Sequence, residues 1–265
     1  MRNPISYFMD KKDLIMELTK RDLLLRYKGS YLGVVWSILN PLFMLVIYTY
    51  FFSFVLQSRW GQQGTSTLDF ALILFCGIST FNFFSEIVTK SPSLILSNVN
   101  YVKKVVFPLE VLPVVSLFSA FVQLIISLVI LMIGNLIING VIYWTVVFLP
   151  LVLLPLVLLS LGIAWFLSSV GVFFRDIQHI LVVVVQALMF LSPIFYPISI
   201  IPETLRPIYY INPIGYVVED MRNILIWGST PNWTWCLVGT LVGLIIFMLG
   251  IAWFRKTKGA FADVL

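Results

Sequence analysis

Long apolar runs separated by short polar stretches make up most of this sequence. A helix needs about 20 mostly apolar residues to cross the hydrocarbon core of a membrane, which is about 30 Å thick. Segments of that kind lie at about 31–56, 68–89, 111–138, 144–172, 177–197 and 233–254. The pattern predicts an all-α polytopic membrane protein, in which residues 31–254 form a domain with six transmembrane helices.

Residues 1–30 follow a different pattern, in which charged and apolar positions alternate with helical spacing. Over residues 13–28, Leu14, Leu18 and Leu25 share one face of a helix. The opposite face is mostly charged and carries Asp13, Glu17, Lys20, Arg21 and Lys28. Gly29 and Ser30 then interrupt the helix. We therefore expect an interfacial helix on the cytoplasmic membrane surface that leads into the first span.

The composition and charge of the chain agree with a lipid environment. Hydrophobic residues account for 60% of the chain and charged residues for 11%, and the mean hydropathy is +1.00, which excludes an ordinary soluble domain. With the N-terminus inside, all 17 lysines and arginines except Arg59, Arg206 and Arg222 fall on the cytoplasmic side. This distribution predicts that both termini, including a tail at 255–265, are cytoplasmic. The net charge of +5 therefore reflects orientation and not nucleic-acid binding.

Catalytic chemistry is missing from the sequence. Cys76 and Cys236 lie in apolar runs and the chain has a single histidine, so no metal site is indicated. No nucleophile–base pair is evident, and no G-x-x-x-x-G-K-[ST] phosphate loop for ATP. Glu86, near the inner end of the second span, fits either an interhelical carboxylate or a gating role. We expect no catalytic residue and no cofactor in this chain.

Two inner loops are candidates for contact with a cytoplasmic partner. The loop at 91–110 either serves membrane orientation alone or holds a short helix that docks on that partner. The side chains that would then face the partner are Asn98, Asn100, Tyr101, Lys103 and Lys104. Arg175 and Asp176, in the second inner loop, either cap helices or lie beside the same contact.

The outer connection at 198–232 has a helix signal of its own. Asn212 and Pro213 are typical of an N-cap followed by proline at the first helical position. Apolar residues follow at helical spacing at Ile214, Val217, Val218, Met221, Ile224 and Leu225, with Glu219, Asp220, Arg222 and Asn223 elsewhere on the wheel. This helix is too short and too polar to span a membrane, so we expect short re-entrant segments in the outer leaflet.

Aromatic residues are abundant, with 22 Phe, 11 Tyr and 8 Trp. They form belts at the membrane interfaces, or some of them line a channel in which sugar rings stack on them. The channel candidates are Tyr48, Phe51, Phe52, Phe81, Phe190 and Tyr196. In the last span, the Gly239-x-x-x-Gly243 motif permits close helix packing, either within the chain or between subunits.

Several of these stretches together resemble the permease subunits of ABC-2-type polysaccharide exporters, which move lipid-linked O antigen, capsule or teichoic acid. The resemblance runs nearly end to end. Its most specific stretches are RYKGSYLGVVWSILNPL (26–42), NVNYVKKVVFPLEVLP (98–113), FFRDI (173–177), SPIFYP (192–197), INPIGYVVEDMR (211–222) and FRKTKGAFADVL (254–265).

The resemblance implies a homodimer in the bacterial inner membrane, with two separate ATPase subunits below it that bind ATP and Mg. It also implies an aromatic channel for undecaprenyl-linked glycan, closed by short outer gate helices. Carried over by residue, Arg26, Gly33, Trp36 and Pro41 belong to the interfacial helix and first span. Residues 98–104 would form a coupling or gate helix, with Arg175 and Asp176 as a second contact to the ATPase. The outer gate would contain Asn212, Pro213, Glu219 and Arg222, and Glu219 and Arg222 are close enough at i,i+3 to pair.

Two alternatives to polysaccharide export remain at this stage. An ABC-2 permease for a small lipid or a drug would have a similar architecture. A membrane enzyme of lipid-linked glycan metabolism would need acidic, basic or histidine residues clustered at one membrane face, and the sequence lacks such a cluster.

Overall fold

The computed structural model describes residues 8–26, 28–51, 67–103, 107–206, 209 and 212–265, and all regular structure in these ranges is helical. We number the α-helices of these ranges α1 Lys12–Arg26, α2 Trp36–Tyr48, α3 Thr67–Lys90, α4 Ser93–Leu96, α5 Val99–Lys103, α6 Val111–Asn139, α7 Leu149–Phe173, α8 Ile177–Leu191, α9 Pro213–Leu225, α10 Trp233–Thr257 and α11 Phe261–Val264. Short 3-10 segments lie at Gly33–Val35, Trp144–Phe148, Ile198–Ile200 and Lys258–Ala260.

Among the described residues, four helical stretches are long and apolar enough to cross a membrane: Leu68–Lys90, Val111–Asn139, Trp144–Phe173 and Trp233–Val264. Two shorter apolar stretches, Trp36–Phe51 and Ile177–Leu191, lie within the first and fifth predicted spans. At 1.5 Å per residue the 15-residue α8 is only about 22 Å long. It ends before the predicted limit of 197 because Ser192 is extended (φ −96°, ψ 144°), as residues that precede proline tend to be.

The helix α3 lies at the centre of the described chain. It contacts α6, α7, α8 and α9, and its buried side chains point to nearly all sides, as Ile73, Leu74, Cys76 and Ile87 illustrate. A helix that is apolar all round needs such an enclosed position. As a result α3 presents polar groups to other elements at its C-terminal end and backbone carbonyl groups near its N-terminal end.

The helices α7 and α10 share the most extensive interface of the described elements. A Cβ atom added to Gly250 would lie 2.1 Å from the carbonyl oxygen of Gly162, so the two backbones touch where these glycines cross. One added to Gly243 would lie 2.9 Å from the carbonyl oxygen of Pro155. The Gly239-x-x-x-Gly243 motif therefore packs within the chain, which is one of the two roles that the sequence left open.

The helix α1 packs against α6 through Ile15, Leu18 and Thr19. Leu14, Leu18 and Leu25, the predicted apolar face, line one groove together, and Leu25 is 53% exposed. The last turn of α1 faces α3 with charged side chains, and Asp22 and Arg26 form ion pairs there.

The helix α9 begins as predicted. The side chain of Asn212 accepts a hydrogen bond from the Ile214 N–H at 3.0 Å, and Pro213 follows at the first turn. The predicted apolar positions of α9 are all buried. Asp220 and Arg222, which the wheel set apart from the apolar face, are buried as well. The helix is thus enclosed on more than its apolar side.

Candidate functional site

Three segments meet at one end of the bundle, and we call them the inner cluster: residues 91–103 with 107–110, the junction 173–177, and residues 258–265. The helix α4 packs on α7, and a Cβ atom added to Gly171 would lie 2.3 Å from the carbonyl oxygen of Pro92. The short helix α11 contacts both α5 and α7. The cluster therefore joins both predicted inner loops to the C-terminus.

Two of the predicted coupling residues bind within the chain. Asn98 donates from Nδ2 to the Leu94 carbonyl oxygen at 2.9 Å and so closes the end of α4. The Tyr101 hydroxyl accepts from Arg21 Nη1 at 2.6 Å, and its ring stacks on Phe107 with 4.3 Å between centroids. Tyr101 thereby ties α5 to α1.

The other members of the predicted set are exposed or lie outside the described residues. Asn100, Arg175 and Asp176 are exposed on the inner cluster. Lys103 is exposed too, although its ammonium donates to the carbonyl oxygen of Leu265. Lys104 lies outside the described residues. The exposed side chains leave a polar surface on both inner loops.

The C-terminal segment takes part in the cluster, although its sequence predicts only a simple tail. Phe261 is fully buried, with its ring centroid 5.9 Å from that of Phe173 and 5.5 Å from that of Phe254. Phe261 is the one aromatic residue in the stretch KTKGAFADVL. That was the sequence signal that could have revealed this role.

A buried carboxylate also binds this segment. Glu110 is 3% exposed, and its Oε1 lies 2.5 Å from Lys258 Nζ. The backbone oxygen of Glu110 accepts from Trp165 Nε1 at 3.0 Å. Because Trp165 belongs to α7, Glu110 connects the start of α6 to α7 and to the C-terminus.

Ion pairs link the end of α1 to the C-terminal end of α3. Lys90 Nζ lies 2.6 and 2.7 Å from the two carboxylate oxygens of Asp22, and Arg26 pairs with Glu86. Although partial burial opposes ionisation of Asp22, the hydrogen bonds and charges of Lys90 and Arg26 lower its pKa below the ordinary value. Glu86 therefore adopts the interhelical pairing that was one of its two interpretations.

A groove of about 690 Å³ runs between α1 and α5, close to these pairs. Tyr101 and Phe107 form one side of it. Its charged lining residues are Glu17, Lys20, Arg21 and Lys28, so positive charge exceeds negative. A groove with that balance attracts an acidic partner surface.

At the opposite end of α3, Arg222 of α9 is fully buried. Its guanidinium donates to the carbonyl oxygens of Ile73 (3.2 Å), Pro193 (2.8 Å) and Ile194 (2.8 Å). Glu219 Oε2 accepts from Arg222 Nη1 at 3.3 Å, the i,i+3 pair that the spacing predicted. The planar fork of arginine suits several acceptors at once, and it fits here because the adjacent Gly77 has no side chain.

Side-chain hydrogen bonds of Asn212 and Asp220 also hold α9 in place at this end of the bundle. Asn212 donates from Nδ2 to Ser192 Oγ at 2.8 Å. Asp220 Oδ1 accepts from the Asn232 N–H at 2.9 Å, which joins α9 to the start of α10. The N-cap and the middle of α9 are thus bonded to the end of α8 and to the start of α10.

The aromatic candidates divide by exposure. Phe81 is 2% exposed and packs inside the chain, so its ring offers no surface to a channel between copies. Phe51 and Phe190 are exposed, and Tyr48 is half-buried. Phe52 lies outside the described residues.

Tyr196 is half-buried near the N-terminal end of α9. Its hydroxyl donates to the carbonyl oxygen of Phe190 and lies 3.0 Å from the hydroxyl of Tyr209. These contacts hold the chain that follows α8 against the end of that helix.

The residues predicted for the interfacial helix and first span lie in α1, in the turn that follows it and in α2, which is bonded to α6. Arg26 ends α1, Gly33 adopts a positive φ of 50° in the 3-10 turn, and half-buried Trp36 begins α2. Pro41 is buried inside α2. The carbonyl oxygen of Ser37 accepts from Gln123 Nε2 at 2.8 Å, which fastens α2 to α6.

A family model described as "ABC-2 type transporter" matches residues 13–226, from α1 to just after α9. The chain belongs to the ABC-2 type transporter family. It is therefore a multi-pass membrane component of a transporter and not an enzyme. The enzyme alternative is excluded on this ground.

Relatives of this ABC-2 transporter chain extend the similarity beyond the matched range. An O-antigen export system permease protein of Klebsiella pneumoniae is 27% identical over 254 residues, which is 96% of this chain and 95% of the relative. One from Myxococcus xanthus is 26% identical over 95% of each chain. The polysialic acid transport protein KpsM of Escherichia coli is 25% identical over 258 residues, 96% of this chain and 97% of the relative.

Proposed function

We propose that this chain is the permease subunit of an ATP-driven exporter that moves undecaprenyl-linked polysaccharide across the bacterial inner membrane, with O antigen as the first candidate. The observation that carries the proposal is the similarity to permeases named for O-antigen export and to a polysialic acid transporter over 95–97% of their lengths. Three such names on nearly whole chains favour a polysaccharide over a small lipid or a drug.

In this proposal α2 and α8 complete a set of six spans. Both are apolar and mostly exposed within the single chain, as helices that face lipid or a second copy are. The segment from Ile198–Ile200 to α9 forms the re-entrant outer part, and both termini are cytoplasmic. The lysines and arginines of the inner cluster and α1 support this orientation.

The proposed assembly contains two copies of this chain, with the channel between them, and two copies of a cytoplasmic ABC ATPase that binds ATP and Mg. The ATPase would dock on the inner cluster and the α1–α5 groove. Exposed Asn100, Arg175 and Asp176 and the positive groove support this location. The coupling set is Asn98, Asn100, Tyr101, Lys103, Lys104, Arg175 and Asp176.

The contacts of the inner cluster explain how a movement of the docked ATPase would be transmitted through this chain. A displacement of α4 and α5 is passed to α7 at the Pro92–Gly171 contact, and to α1 through Tyr101. The ion pairs of Asp22 and Arg26 then carry it to α3. The same α3 supports Arg222 near its other end.

We assign the outer gate to Asn212, Pro213, Glu219 and Arg222, which build and hold α9. The remaining channel candidates are Tyr48, Phe51, Phe52, Phe190 and Tyr196. Exposure of Phe51 and Phe190 supports them, because a channel between two copies is lined by surfaces that are open in one copy.

The proposal is tested in a strain that lacks this chain, by measuring surface glycan and intracellular lipid-linked glycan together. We expect loss of glycan outside and accumulation inside, with both restored by a plasmid copy of the wild-type gene. Normal surface glycan in the deletion strain contradicts polysaccharide export and leaves efflux of a small lipid or drug.

A further inference from the structure

A cavity of about 520 Å³ lies between α2, α3 and α6, and none of the roles above uses it. Arg26 of α1 and Glu86 of α3 are among its lining residues. Its volume is within the range of about 300–1,000 Å³ that small-molecule sites occupy. The uncharged polar side chains of its lining are Asn40 of α2, Ser79, Asn82 and Ser85 of α3, and Gln123 and Ser127 of α6.

Four of these polar side chains, those of Asn40, Ser79, Asn82 and Ser85, have no hydrogen-bonding partner among the described residues. Ser127 donates to the Gln123 carbonyl oxygen at 3.1 Å, and Gln123 donates to Ser37. Asn40 and Asn82, in contrast, are exposed to the cavity with their amides unbonded to any described residue. Polar groups in membrane helices are costly, and unsatisfied ones there point to a ligand or a water-filled path.

The charge of the lining narrows the class of ligand. Arg26 and Glu86 are the charged lining residues, and they pair with each other, so the cavity offers no excess charge to a phosphate or a cation. Asn40 and Asn82 each provide a donor and an acceptor. Met44 and Phe75 add apolar surface beside them. A hydroxyl-rich neutral ring with an apolar face matches this combination.

We propose that this cavity is a saccharide subsite that holds a sugar residue of the exported polymer through Asn40 and Asn82. The inference rests on the proposed function and adds a binding site within one copy of the chain, apart from a channel between copies. With two free amides the site is weak, which suits a polymer that must be released at every step.

The test uses the complex of this chain with its ATPase, reconstituted in lipid nanodiscs. The probe is glycan cleaved from the lipid-linked material that accumulates in the deletion strain. We expect the variant carrying Asn40→Leu and Asn82→Leu to bind this glycan about tenfold more weakly than wild type, since two hydrogen bonds are lost. The same substitution at exposed Asn139, at the end of α6 and outside the cavity, is the control and leaves binding unchanged.

Binding by the double variant within twofold of wild type overturns the saccharide subsite. If the variant does not assemble, Asn82→Cys replaces it as the test, in a background with Cys236→Ser. Protection of that cysteine from a maleimide by the glycan supports the subsite, and an unchanged labelling rate overturns it. A deletion strain that accumulates no glycan contradicts the proposed export function instead, so the two failures are distinguishable.

Discussion

Arg222 joins three parts of the chain at the end of the bundle opposite to the inner cluster. It binds two carbonyl groups of the non-helical stretch after α8 and one of α3, and it is fully buried. Pro193 and Ile194 lie in this non-helical stretch. Its carbonyl groups have no regular series of backbone hydrogen bonds of the kind that a helix provides. A buried guanidinium supplies the missing donors, and the carbonyl dipoles replace the water around its charge.

Replacement of Arg222 by Met should therefore destabilise the protein. Each buried carbonyl group that loses its donor costs about 1–3 kcal/mol, and we expect the unfolding temperature in detergent to fall by at least about 5 °C. The unfolding temperature of Arg222→Lys should lie between those of wild type and Arg222→Met, because one ammonium cannot reach all the acceptors. Arg206→Met is the matched control, since Arg206 is partly exposed. Equal unfolding temperatures for wild type and Arg222→Met would contradict this role.

The Asp22–Lys90 contact predicts a pH dependence of stability. The pKa of Asp22 is lowered in the folded protein, so ionised Asp22 stabilises the fold above its unfolded pKa of about 3.9. That contribution is lost as the pH falls through the folded pKa. The difference in unfolding temperature between wild type and Asp22→Asn should be constant from about pH 7 to 5 and shrink below about pH 4.

Exposed Asp13 on the same helix provides the control for this pH series, as Asp13→Asn. The difference in unfolding temperature between wild type and Asp13→Asn should be small at every pH of the series. A difference for Asp22→Asn that stays the same down to pH 3 would show that the carboxylate charge does not contribute.

At the scale of the element, the C-terminal segment joins parts that are far apart in sequence. Phe261 fills a space between α7 and α10, while Lys258 and the Leu265 carbonyl oxygen reach Glu110 and Lys103. Lys103 belongs to the predicted coupling helix, and Glu110 follows it in the chain. The segment therefore braces this loop in addition to α1, which binds it through Tyr101.

Phe261→Ala should release this brace. Removal of a buried phenyl ring costs about 3–5 kcal/mol, which is more than a four-residue helix at a chain end can recover. We expect faster tryptic cleavage at Lys256 and Lys258 and reduced export, with normal amounts of the protein in the membrane. Val264→Ala, on the exposed side of the same helix, is the control. Unchanged cleavage and export in Phe261→Ala would contradict the brace.

The elements differ in how far sequence patterns predicted them. The N-cap and apolar face of α9 were correct, because short-range spacing and a proline determine both. The contacts of α1 with α3 could not be predicted, since ion pairs form them and no local pattern contains Lys90 or Glu86. The burial of Arg222 was also missed. Its acceptors lie 28 to 149 residues away in the chain.

At the scale of the whole molecule, charge separates the two ends. The inner cluster and α1 carry many of the basic residues, whereas α9 hides its one arginine inside the protein. The distribution of lysine and arginine could be read directly from the sequence. The polar cavity could not, because Asn40, Asn82 and Gln123 are scattered over three helices whose rotation only packing decides.

Cysteine accessibility in whole cells tests the orientation and the number of spans together. In a background with Cys236→Ser, and with Cys76 already buried, we introduce single cysteines at exposed positions. Ser199→Cys and Ser229→Cys lie in the outer connection, and Asp176→Cys and Gly259→Cys lie in the inner cluster.

A membrane-impermeant maleimide should label Ser199→Cys and Ser229→Cys in intact cells, because positive-inside orientation puts 198–232 outside. Asp176→Cys and Gly259→Cys should react only after permeabilisation. The pair Asp176 and Ser199 brackets α8, the shortest of the proposed spans, so opposite labelling of these two sites requires α8 to cross the membrane. Labelling of both from the same side would leave α8 as a surface helix and reduce the number of spans, whatever the orientation of the rest of the chain.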